Sequence, residues 1–368
     1  AVDLVVPAPG LPIIFSRAYD EAMEQRFLQG PFGRGWFTAW STSLRVQADG
    51  AVEILNPDGR RERFEPDSRT GGYFSPPGRQ RTLVRTLDGG FRLQEPEDLV
   101  IAFLPEGRLS YIQDAHGNRI TAGYTSGQLT SLNHSGGPSV QITRNSAGLI
   151  DSIADSSGRT IVYTYDVAQE HLIAVQDSRG LITQYAYDVA SDSRSYHALV
   201  SITYPDGTHD YYAYDKAGRV AATFRDEHAE NLEFSYGPAG QVSITNAAGL
   251  HTDLFYDHTL SLAKTEASCC QRFSYSFDDS HYLSRIADAE GYSDQYSYTA
   301  DGLIASRTDV LGHRVTFAYS EIPGRVKAVT DARGNTTSFS YDGFAKPAVI
   351  TYPDRSQRRL RYDTEGNV

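Results

Sequence analysis

The sequence predicts a nearly all-β chain built as a running antiparallel meander. Three observations carry that prediction: an aromatic anchor that returns about every 21 residues, period-two alternation around each anchor, and two turn signals per period. The anchors are Tyr124, Tyr165, Tyr187, Tyr214, Tyr236, Tyr256, Phe277, Tyr298, Tyr319, Tyr341 and Tyr362. From Tyr214 onward the gaps are 22, 20, 21, 21, 21, 22 and 21 residues. The step from Tyr124 to Tyr165 is 41, close to two periods, with Arg144 standing where an anchor is missing; only the 27-residue step from Tyr187 to Tyr214 is long. A fixed period of this size makes each repeat a supersecondary unit that cannot bury its own apolar face, so stacking makes the core.

The opening stretch from Leu4 to Ile14 contains Pro7, Pro9 and Pro12 and reads as an extended, edge-lying segment. Trp36 and Trp40 follow Gly33 and Gly35 and read as two core aromatics at a bend, with anchoring onto the first repeats as the second reading. Ser43 to Gln47, Ala51 to Leu55, Thr82 to Arg85 and Phe91 to Gln94 are strand-like runs, with hairpin signals at Asp49-Gly50 and Asp58-Gly59. The stretch from Pro66 to Gln80, rich in Gly, Pro, Ser and Arg, reads as a loop. Residues 1–110 therefore form a lead-in β region and residues 111–368 an array of about eleven repeats, the last one truncated.

Within the array Val315, Phe317 and Tyr319 alternate with Thr316 and Ala318, and Phe339 and Tyr341 alternate with Ser338 and Ser340. Aromatic and β-branched residues at period two are strand chemistry. One turn follows the anchor, as in Asp215-Lys-Ala-Gly218, and a second separates repeats, as in Asp331-Ala-Arg-Gly334. Asp at the first turn position bonds the backbone ahead of it, and Gly near the end supplies positive φ. No segment offers a long run at helical spacing. The stretch from Ala190 to His197 is a polar insertion of about six residues; such insertions fall in loops on one face of a solenoid, often the face that meets a partner, but an unselected surface loop is the favoured reading.

The formal charge of −12 disfavours nucleic-acid binding, which needs a concentrated basic surface. Arg60, Arg61 and Arg63, and Arg355, Arg358, Arg359 and Arg361, read as solvated strand faces. The two cysteines, Cys269 and Cys270, cannot staple a chain this long. No apolar run reaches transmembrane length. Asn133-His-Ser135 and Asn335-Thr-Thr337 match the glycosylation triplet and read as chance. No nucleophile elbow, phosphate-cradling glycine loop, paired-histidine zinc motif or calcium loop is present. The histidines are scattered: His228 reads as a solvated turn residue, and His251 and His258 flank one strand-turn stretch. The aspartates have a structural job at turns. No catalytic, cofactor-binding or metal-binding residue is assigned, and the chain is not expected to be an enzyme.

The run Tyr214-Asp-Lys-Ala-Gly-Arg-Val220 resembles the defining motif of YD-repeat proteins, with Tyr214, Asp215, Gly218 and Arg219 in its fixed places. Tyr341 and Asp342 repeat it, as do Tyr362, Asp363 and Gly366. The segment Gly30-Pro31-Phe32-Gly33-Arg-Gly35-Trp36, after Val6-Pro-Ala-Pro-Gly-Leu-Pro12 and Phe15-Ser-Arg-Ala-Tyr19, resembles the lead-in of bacterial Rhs proteins. The resemblance implies antiparallel hairpins stacked as a spiralling sheet that forms part of a hollow shell, one that encloses a toxin or other polypeptide cargo for delivery. The implied partners are the remainder of the shell and a C-terminal cargo domain, and possible helpers are a secretion apparatus or a chaperone. The implied location is outside the producing bacterium, secreted, delivered or on the cell surface. The family's core-closing motif and toxin domain are missing between Ala1 and Val368, and Met23 is the only methionine, so an internal fragment is expected. The alternative is an adhesion module whose tyrosine-rich sheet contacts carbohydrate or protein, as teneurin-like relatives would suggest.

Overall fold

The structure, a computed structural model, describes the chain except residues 21, 57–59, 69–70, 75–80, 96–97, 239, 258–261, 268–271, 281, 323, 344–345 and 363–368. The hairpin signal at Asp58-Gly59, the cysteine pair, His258 and the motif residues Asp363 and Gly366 lie outside the described residues. Among the described residues there is no α-helix, only short 3-10 turns such as Gln25–Phe27, Ala39–Ser41 and Asp226–His228.

One antiparallel ladder of 31 strands runs from Ser43–Val46 to Gln357–Arg359, each strand pairing with its neighbours in sequence. It passes through residue 110 without a break, since Val100–Phe103 pairs with Leu109–Gln113 and that strand with Arg119–Thr125. The first coil closes on itself where Ser43 bridges Arg108 and the Leu44 amide donates to the Gly107 carbonyl at 2.7 Å. The resulting small barrel is filled by Leu44, Val52, Ile54, Phe64, Leu83, Phe91 and Leu93. Tyr73–Phe74 forms a two-residue strand inside the stretch expected to be a loop, because it bridges Arg61–Pro66 to Thr82–Arg85.

The turns follow the expected chemistry. The Asp215 carboxylate accepts from the amides of Ala217 and Arg219, at 2.8 and 2.9 Å, while Gly218 sits at φ +82°. Asp331 does the same to Arg333 and Asn335, at 2.9 and 2.8 Å. Most hairpins carry a bulge just before the anchor, between Ala213 and Tyr214 and between Ser340 and Tyr341 among others. A bulge at a fixed place adds a constant twist per unit, which coils the ribbon.

Residues 1–42 stand outside the ladder. Val2–Val6 and Ile13–Ser16 make their own hairpin, Ala18–Tyr19 pairs with Trp36–Phe37, and Gln29–Gly30 pairs with Gly33–Arg34. The opening segment is thus not an edge of the main sheet. Its buried residues Leu4, Val6, Ile13, Phe15, Phe32, Trp36 and Trp40 join one core with Ile120, Leu132, Ile142, Ile153, Tyr163, Val175 and Tyr185 of the ribbon.

Candidate functional site

The anchor tyrosine does a job that its spacing alone does not reveal. Its hydroxyl donates to a main-chain carbonyl in the preceding unit: Tyr165 to Ile150, Tyr187 to Leu172, Tyr214 to Leu199, Tyr298 to Leu283, Tyr341 to Val326 and Tyr362 to Pro347, at 2.5 to 2.9 Å. Arg144, standing in the missing anchor place, reaches the Leu129 carbonyl at 3.4 Å and so makes the same link with a different donor. Burial pushes the Tyr124 phenol up to about 12, and it likewise stays a neutral donor, to Leu109 at 2.7 Å.

In five units the residue just before the acceptor covers the anchor ring. Arg108 lies 4.6 Å from the Tyr124 centroid, Arg219 4.1 Å from Tyr236 and Lys346 5.0 Å from Tyr362. His171 stacks on Tyr187 at 4.7 Å and Tyr282 on Tyr298 at 4.8 Å. The motif arginine is therefore a lid on the next unit's tyrosine, a cation over an aromatic face. Tyr214 has only Ala198 at that place, and Arg26 of the N-terminal segment supplies the guanidinium instead, 5.3 Å from the ring.

The N-terminal segment seats on the ribbon face that carries Ile161, Tyr163 and Tyr165. Asp3 and Arg17 form an ion pair at 2.9 Å with both side chains at 4% exposure or less. Arg17 donates to the Tyr185 hydroxyl at 2.7 Å, and Tyr163 donates to Asp3 at 2.8 Å. Burial raises the Tyr163 phenol well above its ordinary range, so it remains protonated as that donor. Burial works against the charge on Arg17, but Asp3 and Tyr185 outweigh it and hold the guanidinium protonated. The guanidinium lies 4.8 Å from the Trp36 centroid and 5.1 Å from that of Tyr185. A buried pair of this kind tolerates loss of one partner poorly.

The lead-in motif supplies the rest of the seat. The Pro31 carbonyl accepts from the Ile150 amide at 2.9 Å, and fully buried Phe32 packs on Tyr163 at 4.9 Å. Gly30 pairs with Gly33, and Gly35 lies against the Tyr19 ring. A side chain at Gly33, at φ +91°, would meet the Glu170 carbonyl at 2.6 Å, so close backbone approach fixes glycine there. Trp36 donates to the Tyr187 hydroxyl at 2.7 Å; it is both a core aromatic and an anchor onto the repeats. Trp40 donates to the Ile14 carbonyl at 3.0 Å.

The insertion is not an idle surface loop. Tyr19 donates to the His197 carbonyl at 2.9 Å, Phe27 packs on Tyr196 and His197, and fully buried Arg26 donates to the Gly218 carbonyl at 2.6 Å. A buried polar relay lies beneath it. Asp166 accepts from His171 Nδ1 at 2.7 Å, and His171 Nε2 meets His197 Nδ1 at 2.8 Å. Glu170 accepts from Arg34 at 2.5 Å. Burial opposes the charge on Asp166, but His171 and the amides of Glu170 and His171 keep its carboxyl below the ordinary range. Burial, with Arg34 and His171 nearby, pushes His197 down to about 4. Sequence reading missed these residues. The signals available were a non-glycine residue in a repeat turn, Gln169 at φ +57°, and the insertion itself.

Beyond Leu199 the same face lies open. Tyr212, Phe234, Leu254, Tyr275, Tyr296, Phe317 and Phe339 occupy the place of Tyr163 and Tyr185, two residues before each anchor, and all are half-buried. Phe234 pairs with Ile244, Tyr275 with Ile286, Phe317 with Val329 and Phe339 with Ile350, so an aromatic-aliphatic row runs along the coil. Among the described residues after Leu199, only Gly218, Ala287 and Ser306 are buried.

Hairpins riveted unit to unit, with an N-terminal segment seated on one face, define a β-repeat protein. Residues 1–64 match a domain of unknown function (DUF6531), and residues 324–357 match the RHS Repeat family. Over 339 residues the chain is 25% identical to a probable deoxyribonuclease RhsB of Dickeya dadantii (strain 3937), covering 90% of this chain and 22% of that protein. It is 25% identical over 305 residues to double-stranded DNA deaminase toxin A of Burkholderia cenocepacia (strain H111), covering 81% of this chain and 18% of that one. A crystal structure of TcdB2-TccC3-Cdc42 aligns with a TM-score of 0.42 at 12% identity, over 84% of this chain and 19% of that one. The chain is an Rhs/YD-repeat protein. It spans about a fifth to a quarter of the curated relatives it matches. No helix among the described residues is long and apolar enough to cross a membrane.

Proposed function

We propose that this chain is a wall segment of a hollow shell that encloses a polypeptide cargo for delivery from a bacterium, with residues 1–42 as a plug. The observation that carries the proposal is the aromatic row. Where the plug lies, the row is buried; beyond Leu199 the same residue types continue in the same register, half-exposed over seven units. A continuous apolar row of that length marks a surface meant to be covered. The enclosed polypeptide and the rest of the shell are its covers. For the alternative, an adhesion module whose tyrosine-rich sheet contacts carbohydrate or protein, the anchor hydroxyls are already engaged by carbonyls, which leaves only the row's ring faces for a ligand.

A photo-reactive phenylalanine analogue tests this, placed either at Phe317 on the row or at Thr316 on the opposite face, in the protein as its native host makes it. Illumination is expected to attach a polypeptide of defined mass at Phe317 and none at Thr316. Equal labelling at both places, or a glycan as the adduct, would overturn the proposal.

A further inference from the structure

Two departures from the repeat fall in consecutive units and meet in space. The turn after Tyr165 is one residue longer than the turn after Tyr214, since Tyr165 pairs with Leu172 whereas Tyr214 pairs with Val220. The extra length presents Glu170 and His171 side by side. The next unit carries the insertion that ends at His197, held at φ +68°. In a regular array such departures destabilise locally, and backbone outliers of this kind gather at functional sites. Here both deliver ligand-type side chains to one point: the Glu170 carboxylate and a nitrogen from each of His171 and His197 lie within 4.8 Å of one another. Both imidazoles are almost wholly buried, at 3% and 2% exposure.

The surrounding groups orient these side chains as the outer partners of metal ligands do. His171 turns Nδ1 to the Asp166 carboxylate, which orients the ring and leaves Nε2 for an ion. Glu170 is held in turn by Arg34 through one oxygen, which leaves the other available. Ligating histidines and carboxylates are supported in this way. We infer that Glu170, His171 and His197 form a binding site for a divalent transition ion of the zinc class, which clamps the insertion to the repeat turn and, through Arg34, to the plug. Two imidazoles and a carboxylate suit zinc rather than calcium or magnesium. Water fills the fourth place of a tetrahedral ion. On binding, His197 moves its proton from Nδ1 to Nε2, so both facing nitrogens offer lone pairs. The 2.8 Å nitrogen pair must then open to about 3.3 Å, as two ligands at about 2.0 Å on a tetrahedral ion require.

The test uses the untagged 368-residue chain in a Cys269→Ser/Cys270→Ser background, so that adjacent thiols cannot carry the ion. After chelator stripping, zinc is returned and followed by elemental analysis, by competition with a chromophoric chelator and by the thermal midpoint. One zinc per chain and a midpoint that rises with free zinc are expected. His197→Ala should abolish both, and Glu170→Gln, which keeps a group for Arg34, should weaken them. Asp166→Asn should lower affinity about 10- to 100-fold while the ligands remain. A folded chain that retains no stoichiometric zinc and shows no midpoint shift would overturn the site. So would zinc binding unchanged in both His197→Ala and Glu170→Gln.

Discussion

The units between Ile120 and Leu199 and those beyond it are built from the same strands, turns and anchors, yet they bury different amounts of themselves. Thr160–Tyr165 alternates exposed and buried along its length, whereas Thr336–Tyr341 holds no buried residue. The hydrogen-bond ladder is the same in both, and so is the tyrosine link. The difference is the plug. Backbone pairing and the anchor hydroxyl make the ribbon; a second layer makes a core, as any one-sheet architecture needs.

The largest effect should come from removing the plug's buried ion. Arg17→Ala leaves the buried Asp3 carboxylate without its counter-ion and is expected to weaken seating by about 3–5 kcal/mol. Trp36→Ala is expected to cost about as much through lost packing. Because both tryptophans, Trp36 and Trp40, lie in the plug, their fluorescence reports its release separately from far-ultraviolet dichroism of the ribbon. In both variants the tryptophan transition should move well ahead of the dichroism; coincident transitions would mean that the plug and ribbon are one cooperative unit.

Acid should separate the two regions as well. His197 is held near 4 in the folded chain against about 6.5 unfolded, so between those values the unfolded state binds more protons. Its contribution is whole above about 6.5 and fades as the pH falls towards 4. Asp166, Glu170, Arg34 and His171 surround it. Turn aspartates such as Asp215 and Asp331, which hydrogen bonds hold below the ordinary range, add stability that is lost only below about pH 3.9. The tryptophan signal should therefore change first on acidification and the ribbon dichroism second.

Smaller effects should sort by burial. Tyr165→Phe strands the Ile150 carbonyl in the core and should cost about 1–3 kcal/mol, whereas Tyr341→Phe, nearer solvent, should cost about 1 kcal/mol or less. Phe277, which has no hydroxyl, shows that one unit does without the link. Arg219→Ala should cost least, about 0.5–1 kcal/mol for the lost cover on Tyr236. Denaturant midpoints of the three variants would check the ranking.

The turns and strands were legible because their causes are local: Asp331 bonds amides two and four residues on, and Gly334 supplies the positive φ in the same turn. The recurrence of tyrosine was legible too, but not its reason, since the partner carbonyl belongs to the neighbouring hairpin. The plug was hidden. Asp3 meets Tyr163, Arg17 meets Tyr185 and Arg26 meets Gly218, and no short-range pattern encodes contacts across such lengths of chain. His171 and His197 looked like two more scattered histidines until the longer turn and the insertion set them face to face.

Hydrogen exchange on the intact chain, read strand by strand, tests the plug directly. The amides of Thr160–Tyr165 and Ile182–Tyr187 should exchange far more slowly than those of Thr336–Tyr341, and Trp36→Ala should erase that gap without changing the later strand. Equal protection in the two regions, or a gap that survives Trp36→Ala, would contradict a ribbon whose core depends on its plug.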